Sequence, residues 1–246
     1  MHYGKLKFPK FDKPHVSIII PVYNEIVYTI YCLRAIYLNT KGISYEIIIA
    51  DDVSTDETQF LKMYVDNIKI VRNNKNQGFL LNCNNASKYA KGKYILFLNN
   101  DTSVKENWLE PLINTLENNS DIGLVGSKLV YPNGRLQEAG GIIFNDGTAA
   151  NYGKFDDTSK PEYNYVRDVD YISGASIMLS KKLWDEIGGF DSRYAPAYCE
   201  DSDLAFEVRK RKLRVVYQPL SVVTHYEGVS NGTDVNFGLK KYQLEN

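Results

Sequence analysis

The sequence predicts an α/β fold with a mostly parallel central sheet flanked by helices. Short apolar runs alternate with segments whose apolar residues recur at helical spacing, and the alternation occurs four times between residues 16 and 98. Such alternation is typical of parallel strands joined by right-handed helical crossovers. Polar side chains directly follow several of the apolar runs. We therefore expect these side chains to meet at one edge of the sheet, where open α/β sheets bind their ligands.

The first strands are predicted from apolar runs rich in branched and aromatic residues. These runs cover residues 16–21, 45–50, 68–71 and 94–98. The run 94–98, Tyr-Ile-Leu-Phe-Leu, is typical of a strand buried on both faces in the middle of a parallel sheet. Pro21 is expected to end the first strand, because proline lacks the amide that a central strand donates.

Helices are predicted between these strands. Ile26, Ile30, Leu33 and Tyr37 recur at helical spacing, and Gly42 is expected to end that helix. A second helix is predicted over residues 78–91, where Phe79, Leu80, Cys83 and Ala86 form the apolar face.

The second half of the chain has a less regular pattern. Strands are predicted at 122–126, 128–131, 170–179, 213–217 and 222–225, and helices at 181–187 and from residue 200. Residues 138–164 are rich in Gly, Asn, Asp and Tyr without periodicity, which predicts a long functional loop. Gly174 and Ala175, small residues inside a predicted strand, would allow a ligand to approach the backbone closely.

Composition narrows the class of protein. The chain has 246 residues, of which 43% are hydrophobic and 24% charged, as is ordinary for one globular domain. A formal net charge of −1 gives no field that would attract nucleic acid, and no apolar run approaches the roughly 20 residues needed to cross a bilayer. The N-terminus lacks the apolar segment of a secretory signal, so we expect a cytoplasmic protein. The three cysteines have no metal-binding spacing and are expected to be reduced.

The two ends of the chain differ from the rest. Residues 1–15 contain four lysines and two prolines, which predicts an extended, solvent-exposed arm. Residues 237–246 predict a helix that stops without a cap, as expected of a chain that continues into a further domain.

Hydrogen-bonding side chains follow three of the predicted strands. They are Tyr23 and Glu25 after the strand 16–21, Asp51 and Asp52 after 45–50, and Asn99, Asn100 and Asp101 after 94–98. A carboxylate on a rigid strand end is a natural ligand for a hard metal ion. The sequence contains no glycine-rich dinucleotide motif and no Walker loop, so a bound nucleotide would be held by side chains and a metal.

Helix capping is the structural alternative for some of these residues. Asp101 could cap a helix that starts near Glu106, and Ser54 or Thr55 could cap the helix that follows Asp56. Capping would not explain Asp51 and Asp52, which precede any cap position.

Two further features of the second half suggest chemistry. Glu200, Asp201 and Asp203 begin a predicted helix, and three acids are more than its dipole or cap requires. The dipole should keep such a carboxylate ionised, which suits a base that accepts a proton. His225 follows the last predicted strand. A lone histidine is more often structural than a ligand, and both interpretations stay open at this point.

Five motifs in order resemble those of glycosyltransferase family 2, the GT-A-fold enzymes that transfer sugars from nucleotide-sugar donors. The motifs are Val-Ser-Ile-Ile-Ile-Pro-Val-Tyr-Asn-Glu at 16–25, Asp-Asp-Val-Ser-Thr-Asp at 51–56, Asn-Asn-Asp at 99–101, Glu-Asp-Ser-Asp-Leu at 200–204 and His-Tyr-Glu-Gly-Val-Ser at 225–230. Asn99 stands where the family's Asp-x-Asp motif has its first aspartate. That substitution and the segment 135–141, Arg-Leu-Gln-Glu-Ala-Gly-Gly, are similar to bacterial members that make surface polysaccharide, including O-antigen and rhamnosyltransferase-like enzymes.

The resemblance implies one GT-A domain over residues 16–236. Residues 16–120 would form the nucleotide-binding half, and 121–236 the acceptor and catalytic half with a smaller β region. The implied reaction is an inverting, metal-dependent transfer from a UDP- or dTDP-sugar to a hydroxyl of a glycan or lipid-linked saccharide. Mn²⁺ or Mg²⁺ would be the cofactor, and a nitrogen ligand favours Mn²⁺. The family's lipid acceptors imply a place in the cytoplasm at the inner face of the membrane.

The resemblance also implies roles for individual residues. Asp201 would be the catalytic base, and Asp101 and His225 the metal ligands. The nucleotide contacts would be Pro21, Tyr23, Glu25, Asp51, Asp52, Gly78 and Asn100. The contacts to donor or acceptor sugar would be Gln137, Gly174, Ala175 and Glu200.

The sequence alone leaves two alternative functions open. Asn99 removes one charge from the metal motif, so the chain could be a catalytically weak nucleotide-sugar-binding module of a larger glycosyltransferase. A sugar nucleotidyltransferase would share the metal and the nucleotide-binding half. It would need a glycine-rich, basic loop after the first strand, where this chain has Pro21-Val22-Tyr23-Asn24-Glu25.

Overall fold

The computed structural model describes residues 4–228, 241, 242 and 246. The predicted helix over 237–246 therefore lies, apart from three positions, outside the described residues, as does the end of the predicted domain from residue 229. No helix in the described part of the chain is long and apolar enough to cross a membrane.

The strands in chain order are β1 Leu6–Lys7, β2 Val16–Val22, β3 Tyr45–Asp51, β4 Val65–Asp66, β5 Lys69–Arg72, β6 Tyr94–Leu98, β7 Thr102–Val104, β8 Ile122–Val130, β9 Leu136–Glu138, β10 Gly141–Ile143, β11 Ala149–Asn151, β12 Arg167–Asp168, β13 Ser176–Ser180 and β14 Arg214–His225. The helices are α1 Ile26–Asn39, α2 Phe79–Ser87, α3 Leu109–Asn118, α4 Lys181–Ile187 and α5 Glu200–Lys210. Short 3-10 helices cover Glu57–Met63, Pro161–Tyr163 and Ser192–Tyr194.

The central sheet has the strand order β12-β14-β8-β13-β6-β2-β3-β5. Strands β5, β3, β2 and β6 run parallel, which confirms the predicted crossover topology of the first half. On its other edge β6 pairs with β13, which runs antiparallel to both β6 and β8. Strand β6, which was predicted to lie in the middle of a parallel sheet, therefore lies at the boundary between the parallel half and the mixed half of the sheet.

Helices cover both faces of this sheet because its strands are apolar on both faces. Ile18 and Ile20 pack with residues of α1 and α3 on one face, and Ile19 packs with α2, α4 and α5 on the other. All five residues of β6 are buried, as their continuous apolar pattern predicts. The result is an α/β fold in which the strand ends, and not the strand faces, are available to a ligand.

Two strands are longer than predicted because polar residues inside them are satisfied. Ser127 joins the two apolar runs of β8, where its hydroxyl hydrogen-bonds the hydroxyls of Ser176 and Ser221 at 2.7 and 2.8 Å. In β14 a register shift between Gln218 and Val222 absorbs the intervening polar residues. Each pair of predicted strands is therefore one strand.

Pro21 lies inside β2 and does not end it. The pairing of β2 with β6 stops at Ile19, whereas its pairing with β3 continues to Val22. At Pro21 there is no β6 partner for an amide to bond, so the proline is tolerated.

The residues expected to cap helices have other roles. Asp101 is followed by strand β7, and α3 starts only at Leu109, so Asp101 caps no helix. Asp56, not Ser54 or Thr55, caps the next helix, since its carboxylate accepts a hydrogen bond from the Thr58 amide.

The N-terminal arm is partly built into the domain. Strand β1 pairs in parallel with β4, and Phe8 is only 2% exposed. The Phe8 ring packs edge-on against Tyr37 and Tyr45. The prediction of a solvent-exposed arm over residues 1–15 is therefore wrong for this stretch, because one aromatic residue anchors it.

Candidate active site

A cavity of about 1310 Å³ opens at the carboxyl ends of β2, β3 and β6. Tyr23, Asp52 and Asp101, which follow these strands, line one part of it. Gly174, which precedes β13, and residues of α5 and β14 line another. Polar residues from separate parts of the sequence thus share one site, as expected for the carboxyl edge of an open α/β sheet.

Most of the predicted site residues line this cavity. They are Pro21, Tyr23, Asp52, Gly78, Asn100, Asp101, Gln137, Gly174, Ala175, Glu200, Asp201 and His225. Glu25 and Asp51 do not line it. Glu25 precedes the first turn of α1 in a left-handed conformation, with φ at 61°.

Asp51 is engaged in holding the turn after β3. Its Oδ1 accepts a hydrogen bond from the Ser54 amide at 2.8 Å, and its Oδ2 forms an ion pair with Arg72 of β5. The side chain is only 2% exposed. This placement does not support the predicted nucleotide contact, and it gives Asp51 a structural role that sequence spacing could not distinguish.

Asp52 shapes the loop that enters α2. Its carboxylate accepts hydrogen bonds from the amides of Gln77 and Gly78 at 2.8–3.0 Å and from Asn73 Nδ2 at 2.8 Å. Gly78 has φ 78° and ψ 173°, a conformation open essentially to glycine alone. A Cβ on Gly78 would stand 2.5 Å from the carbonyl oxygen of Pro196. Glycine is therefore required here for both backbone conformation and close packing.

Replacing Gly78 with alanine is expected to lower the free energy of unfolding by about 2–4 kcal/mol, since strain and a steric clash add. Urea denaturation measures the change. Gly134→Ala is the matched control, because Gly134 also has a positive φ but no atom within 4 Å of its added Cβ. Equal losses in the two variants would contradict the role of the contact with Pro196.

Asp101 and His225 form the candidate metal pair. Asp101 Oδ1 lies 3.3 Å from His225 Nε2. The pairing of Thr102 with His225 in adjacent strands β7 and β14 brings the two side chains together. Two ligands at right angles around an ion with bonds of about 2.1 Å stand about 3.0 Å apart, so the pair fits two neighbouring positions on one Mg²⁺ or Mn²⁺.

Among the described residues, no group of three or more His, Cys, Asp and Glu side chains is arranged to hold a metal ion. A metal on Asp101 and His225 would therefore take its other ligands from water or from a bound molecule. Asn99, at the first position of the metal motif, lines the same cavity. Its Oδ1 is buried and has no hydrogen-bond partner in the described part of the chain.

A hydrogen-bonded chain of side chains orients His225. Gln137 Oε1 lies 3.1 Å from His225 Nδ1, and Gln137 Nε2 donates to Glu227 Oε2 at 3.1 Å. The Tyr131 hydroxyl donates to the same carboxylate oxygen at 2.9 Å. With the Gln137 amide so oriented, its oxygen faces His225 Nδ1 as an acceptor, an arrangement that would leave Nε2 free to bind a metal beside Asp101.

This chain of contacts changes the interpretation of Gln137. Its amide was predicted to contact a sugar, but both of its polar atoms are engaged in positioning His225. Tyr131 and Glu227 were not among the predicted site residues. Glu227 lies two positions after His225 in the last motif, which was a usable signal, whereas no local pattern marks Tyr131.

Asp201 lies at the start of α5 and is held by two backbone amides. Gly174 N donates to Oδ2 at 2.9 Å, and Ser202 N donates to Oδ1 at 2.8 Å. Each oxygen retains acceptor capacity towards the cavity. The geometry fits a carboxylate that accepts a proton from a bound hydroxyl group.

Burial, rather than the helix dipole, dominates the ionisation of this pair of acids. Burial raises the pKa of Asp201 above its ordinary value, against the effect of its backbone hydrogen bonds. Burial and the charge of Asp201 raise the pKa of Glu200 to about 8. Burial thus opposes the expected effect of the helix dipole, which favours the ionised form of these carboxylates. Of the two, Asp201 is better supported as the charged member, because the backbone amides of Gly174 and Ser202 donate to its carboxylate.

Glu138 is a third buried acid at the cavity, and it was not among the predicted site residues. Its Oε1 accepts a hydrogen bond from Ser173 N at 3.0 Å, and its side chain is fully buried. Burial is the main cause that raises the pKa of Glu138 to about 8. Ser173 and Gly174 give their amides to Glu138 and Asp201 and not to a neighbouring strand. This explains why β13 begins at Ser176 and not at residue 170 as predicted.

The raised pKa of Glu138 predicts that stability falls as pH rises. In the folded protein Glu138 holds its proton up to about pH 8, whereas the unfolded chain releases it near the ordinary value of 4.5. Between these values the folded state binds more protons, so rising pH favours unfolding. Glu138→Gln removes this titration, and its melting temperature should gain on that of the wild type between pH 5 and pH 8. A difference that is constant over this range would contradict the assignment.

The fold is a GT-A fold, which two solved glycosyltransferase structures share. One is described as GalNAc-T7 with UDP, GalNAc and Mn²⁺, with a TM-score of 0.72 and 17% identity over 88% of this chain and 44% of that one. The other is described as the mannosyltransferase PcManGT from Pyrobaculum calidifontis with GDP-Man and Mn²⁺, with a TM-score of 0.63 and 17% identity over 87% of this chain and 57% of that one. The predicted fold class is confirmed.

The chain belongs to glycosyltransferase family 2, whose family model, Glycosyl transferase family 2, matches residues 17–187. The O-antigen biosynthesis protein RfbC of Myxococcus xanthus is 26% identical over 94% of this chain and 19% of its own length. The glycosyltransferase AglE of Haloferax volcanii is 31% identical over 72% of this chain and 56% of its own length. This chain thus spans between a fifth and somewhat over half of the length of these relatives. The match confirms the family and the class of enzyme predicted from the motifs.

Proposed function

We propose that this chain catalyses the inverting, metal-dependent transfer of a sugar from a nucleoside diphosphate sugar to a hydroxyl group of a glycan or lipid-linked saccharide. The observation that carries the proposal is the shared cavity, in which the Asp101 and His225 pair and the half-buried carboxylate Asp201 line the same space. Membership of glycosyltransferase family 2 supports it. Asp201 accepts hydrogen bonds from two backbone amides, whereas Glu200 Oε2 is buried without a partner among the described residues, and this difference supports separate roles for the two acids.

In this proposal one group of cavity residues binds the nucleotide and the metal, and another residue accepts the acceptor proton. The nucleotide lies against Pro21, Tyr23 and the loop that Asp52 shapes. Asp101 and His225 would hold a divalent ion, Mn²⁺ or Mg²⁺, which neutralises charge on the leaving diphosphate when bound. The two solved structures with the same fold contain UDP or GDP-Man together with Mn²⁺, which agrees with the proposed divalent ion.

Asp201 is the residue that accepts the proton. An acceptor hydroxyl group donates a hydrogen bond to the Asp201 carboxylate, and the hydroxyl oxygen attacks the anomeric carbon on the face opposite the diphosphate. As the new carbon–oxygen bond forms, the bond to the diphosphate oxygen breaks and the proton passes to Asp201. One displacement of this kind inverts the configuration of the anomeric carbon.

The named relative that takes part in O-antigen biosynthesis supports a role in cell-surface polysaccharide synthesis for this chain. UDP- or dTDP-sugars are the proposed donors, and a glycan or lipid-linked saccharide is the proposed acceptor. A lipid-linked acceptor would bring the enzyme to the cytoplasmic face of the membrane.

Thermal stability in the presence of a panel of UDP-, dTDP-, GDP- and CMP-sugars, with and without Mn²⁺, tests the proposal. A ligand that binds only the folded state raises the melting temperature by mass action. Stabilisation by one nucleotide class that depends on metal would support the transferase site and name the donor class. If no nucleotide stabilises the protein in either condition, the proposal is wrong. Hydrolysis of the stabilising sugar in the absence of acceptor separates an enzyme from a binding module.

A further inference from the structure

The outward face of helix α1 is apolar and exposed. Val27, Tyr31 and Leu38 recur at helical spacing along this face, and each side chain is more than half exposed. The inward face of the same helix, with Leu33, is fully buried in the core. Within α1 only Arg34 is charged. A helix that is apolar all round is normally covered all round, so the outward face of α1 is suited to a partner.

The neighbouring 3-10 helix Glu57–Met63 extends this face. It begins beside the start of α1, where Asp56 Oδ2 accepts a hydrogen bond from Ile26 N at 3.0 Å. Of the seventeen large hydrophobic side chains that are exposed in the described part of the chain, seven lie on α1, on this 3-10 helix or directly after it, and we term them the α1 face: Val27, Tyr31, Tyr37, Leu38, Phe60, Met63 and Tyr64. Exposed apolar side chains are therefore concentrated in one region.

The N-terminal arm borders the α1 face. The Phe8 ring packs edge-on against Tyr37 of α1, and Leu6 N donates to Tyr64 O at 2.9 Å. Leu6 packs against the core, so Lys7, the next residue of β1, points outward. The arm thus places its side chains beside both helical parts of the face.

Most lysines of the arm are available to a partner. Lys5 forms an ion pair with Asp66 at 2.7 Å. Lys7, Lys10 and Lys13 are exposed and form no ion pair with a described residue. Their positive charge is therefore not neutralised by the described part of the chain.

Positive charge exceeds negative charge around the α1 face. Residues 4–15, 26–41 and 57–64 together contain seven lysine and arginine residues and two acidic residues, whereas the whole chain has a formal net charge of −1. Lysine side chains attract anionic lipid headgroups, and tyrosine and aliphatic side chains enter the boundary between headgroups and acyl chains. The region combines the apolar area and the positive charge that binding to such a surface requires.

We propose that the α1 face is a docking surface for a membrane that contains anionic lipids. A second copy of the chain is a poorer occupant, because a two-fold contact would bring the same lysine-bordered face of both copies together. The inference adds a docking surface to the proposed function, but its argument uses no feature of the transfer reaction.

The α1 face adjoins the cavity. Tyr28 of α1 packs edge-on against Tyr226, with ring centroids 5.5 Å apart, and Tyr226 lines the cavity. Tyr23, which precedes α1, lines it as well. A protein docked through the α1 face would therefore hold its cavity close to the lipid surface.

Sedimentation with vesicles tests the inference. The vesicles contain either phosphatidylcholine alone or equal amounts of phosphatidylcholine and phosphatidylglycerol. Donor and acceptor are absent, so the result is independent of the transfer reaction. The wild type should bind the anionic vesicles at least about tenfold more tightly than the neutral ones. Added salt should weaken this binding, because salt screens the charge of the lysines.

Two variants address the charge and the apolar area separately. The combined change Lys7→Ala, Lys10→Ala and Lys13→Ala should weaken binding to anionic vesicles by about a hundredfold, since each lysine near such a surface contributes about fivefold. Leu38→Ser with Met63→Ser should weaken it by about tenfold, because apolar area is lost. All five side chains are exposed, so both variants should melt close to the temperature of the wild type.

Two control variants carry matched changes on the opposite face of the sheet. The change Lys88→Ala, Lys182→Ala and Lys210→Ala alters the net charge equally, and Tyr89→Ser with Phe206→Ser removes two exposed aromatic rings. These residues lie in or just after α2, α4 and α5, which cover that opposite face. Both controls should bind anionic vesicles within about twofold of the wild type.

Three results would overturn the inference. They are a wild type that binds neither kind of vesicle, an equal loss of binding in the controls, and a dimer that forms with rising protein concentration and is abolished by Leu38→Ser with Met63→Ser. The last result would assign the α1 face to a second copy. In each case the nucleotide panel still decides the proposed function. Vesicle binding without any nucleotide binding would overturn the proposed function alone.

Discussion

Replacing Asp201 with asparagine is expected to lower the rate of sugar transfer by at least about a thousandfold. Asparagine keeps the size of the side chain and an oxygen for the Gly174 amide, but it cannot take a proton from the acceptor. General bases contribute roughly 10²–10⁴-fold to rate. Donor binding should change little, because Asp201 is not one of the two proposed metal ligands. Single-turnover kinetics with donor bound in advance separate the two quantities.

Asp203→Asn is the matched control for this prediction. Asp203 lies in the same first turn of α5, but it faces Tyr194 and does not line the cavity. Its replacement should leave transfer within about threefold of the wild type. The assignment of Asp201 would be wrong if Asp201→Asn lost donor binding while the transfer rate of the bound complex stayed intact. It would also be wrong if both variants lost activity equally.

The fold was predictable where the pattern of apolar residues is local and uninterrupted. Strand β6 has the limits and burial that its sequence predicts, and β3 extends one residue beyond its predicted end. Helix α1 begins at the predicted Ile26, but of its predicted apolar positions only Leu33 is buried, and Tyr37 is exposed. The pattern failed where polar residues are satisfied by distant partners. Ser127 breaks an apolar run in sequence, yet hydroxyl groups 49 and 94 positions away complete its hydrogen bonds. No window of sequence contains those partners.

The candidate site shows the same limit. The positions of Asp101, His225 and Asp201 at strand ends and a helix start predicted that they would share one edge of the sheet, and all three line the cavity; their roles were implied by the resemblance to glycosyltransferase family 2. The sequence could not distinguish the roles of two adjacent acids. Asp51 forms an ion pair with Arg72, whereas Asp52 lines the cavity. Glu138 and Tyr131 were missed because their significance depends on contacts with Ser173 and Glu227, residues 35 and 96 positions away.

Replacing Asp101 with asparagine is expected to abolish the dependence of nucleotide binding on Mn²⁺ and to lower transfer by at least about a hundredfold. Asparagine keeps an oxygen near His225 but removes the negative charge that a hard divalent ion requires. In the wild type, Mn²⁺ should increase the stabilisation by the preferred nucleotide. In Asp101→Asn the melting temperature with nucleotide should be the same with and without Mn²⁺. A Mn²⁺ effect as large as that of the wild type would remove Asp101 from the metal site.

Gln137→Leu provides a graded form of the same test, because it leaves both proposed ligands in place. Without the Gln137 amide, the tautomer and orientation of the His225 ring are no longer fixed, and loss of such a partner typically weakens metal affinity by about 10–100-fold. Gln218→Leu is the matched control: Gln218 is also a buried glutamine, but it donates to Thr115 away from the cavity. Mn²⁺ titration in the presence of nucleotide should show a weaker affinity for Gln137→Leu alone. Equal affinities in the two variants would mean that Gln137 packs beside His225 without controlling it, and the role of Gln137 would return to sugar contact.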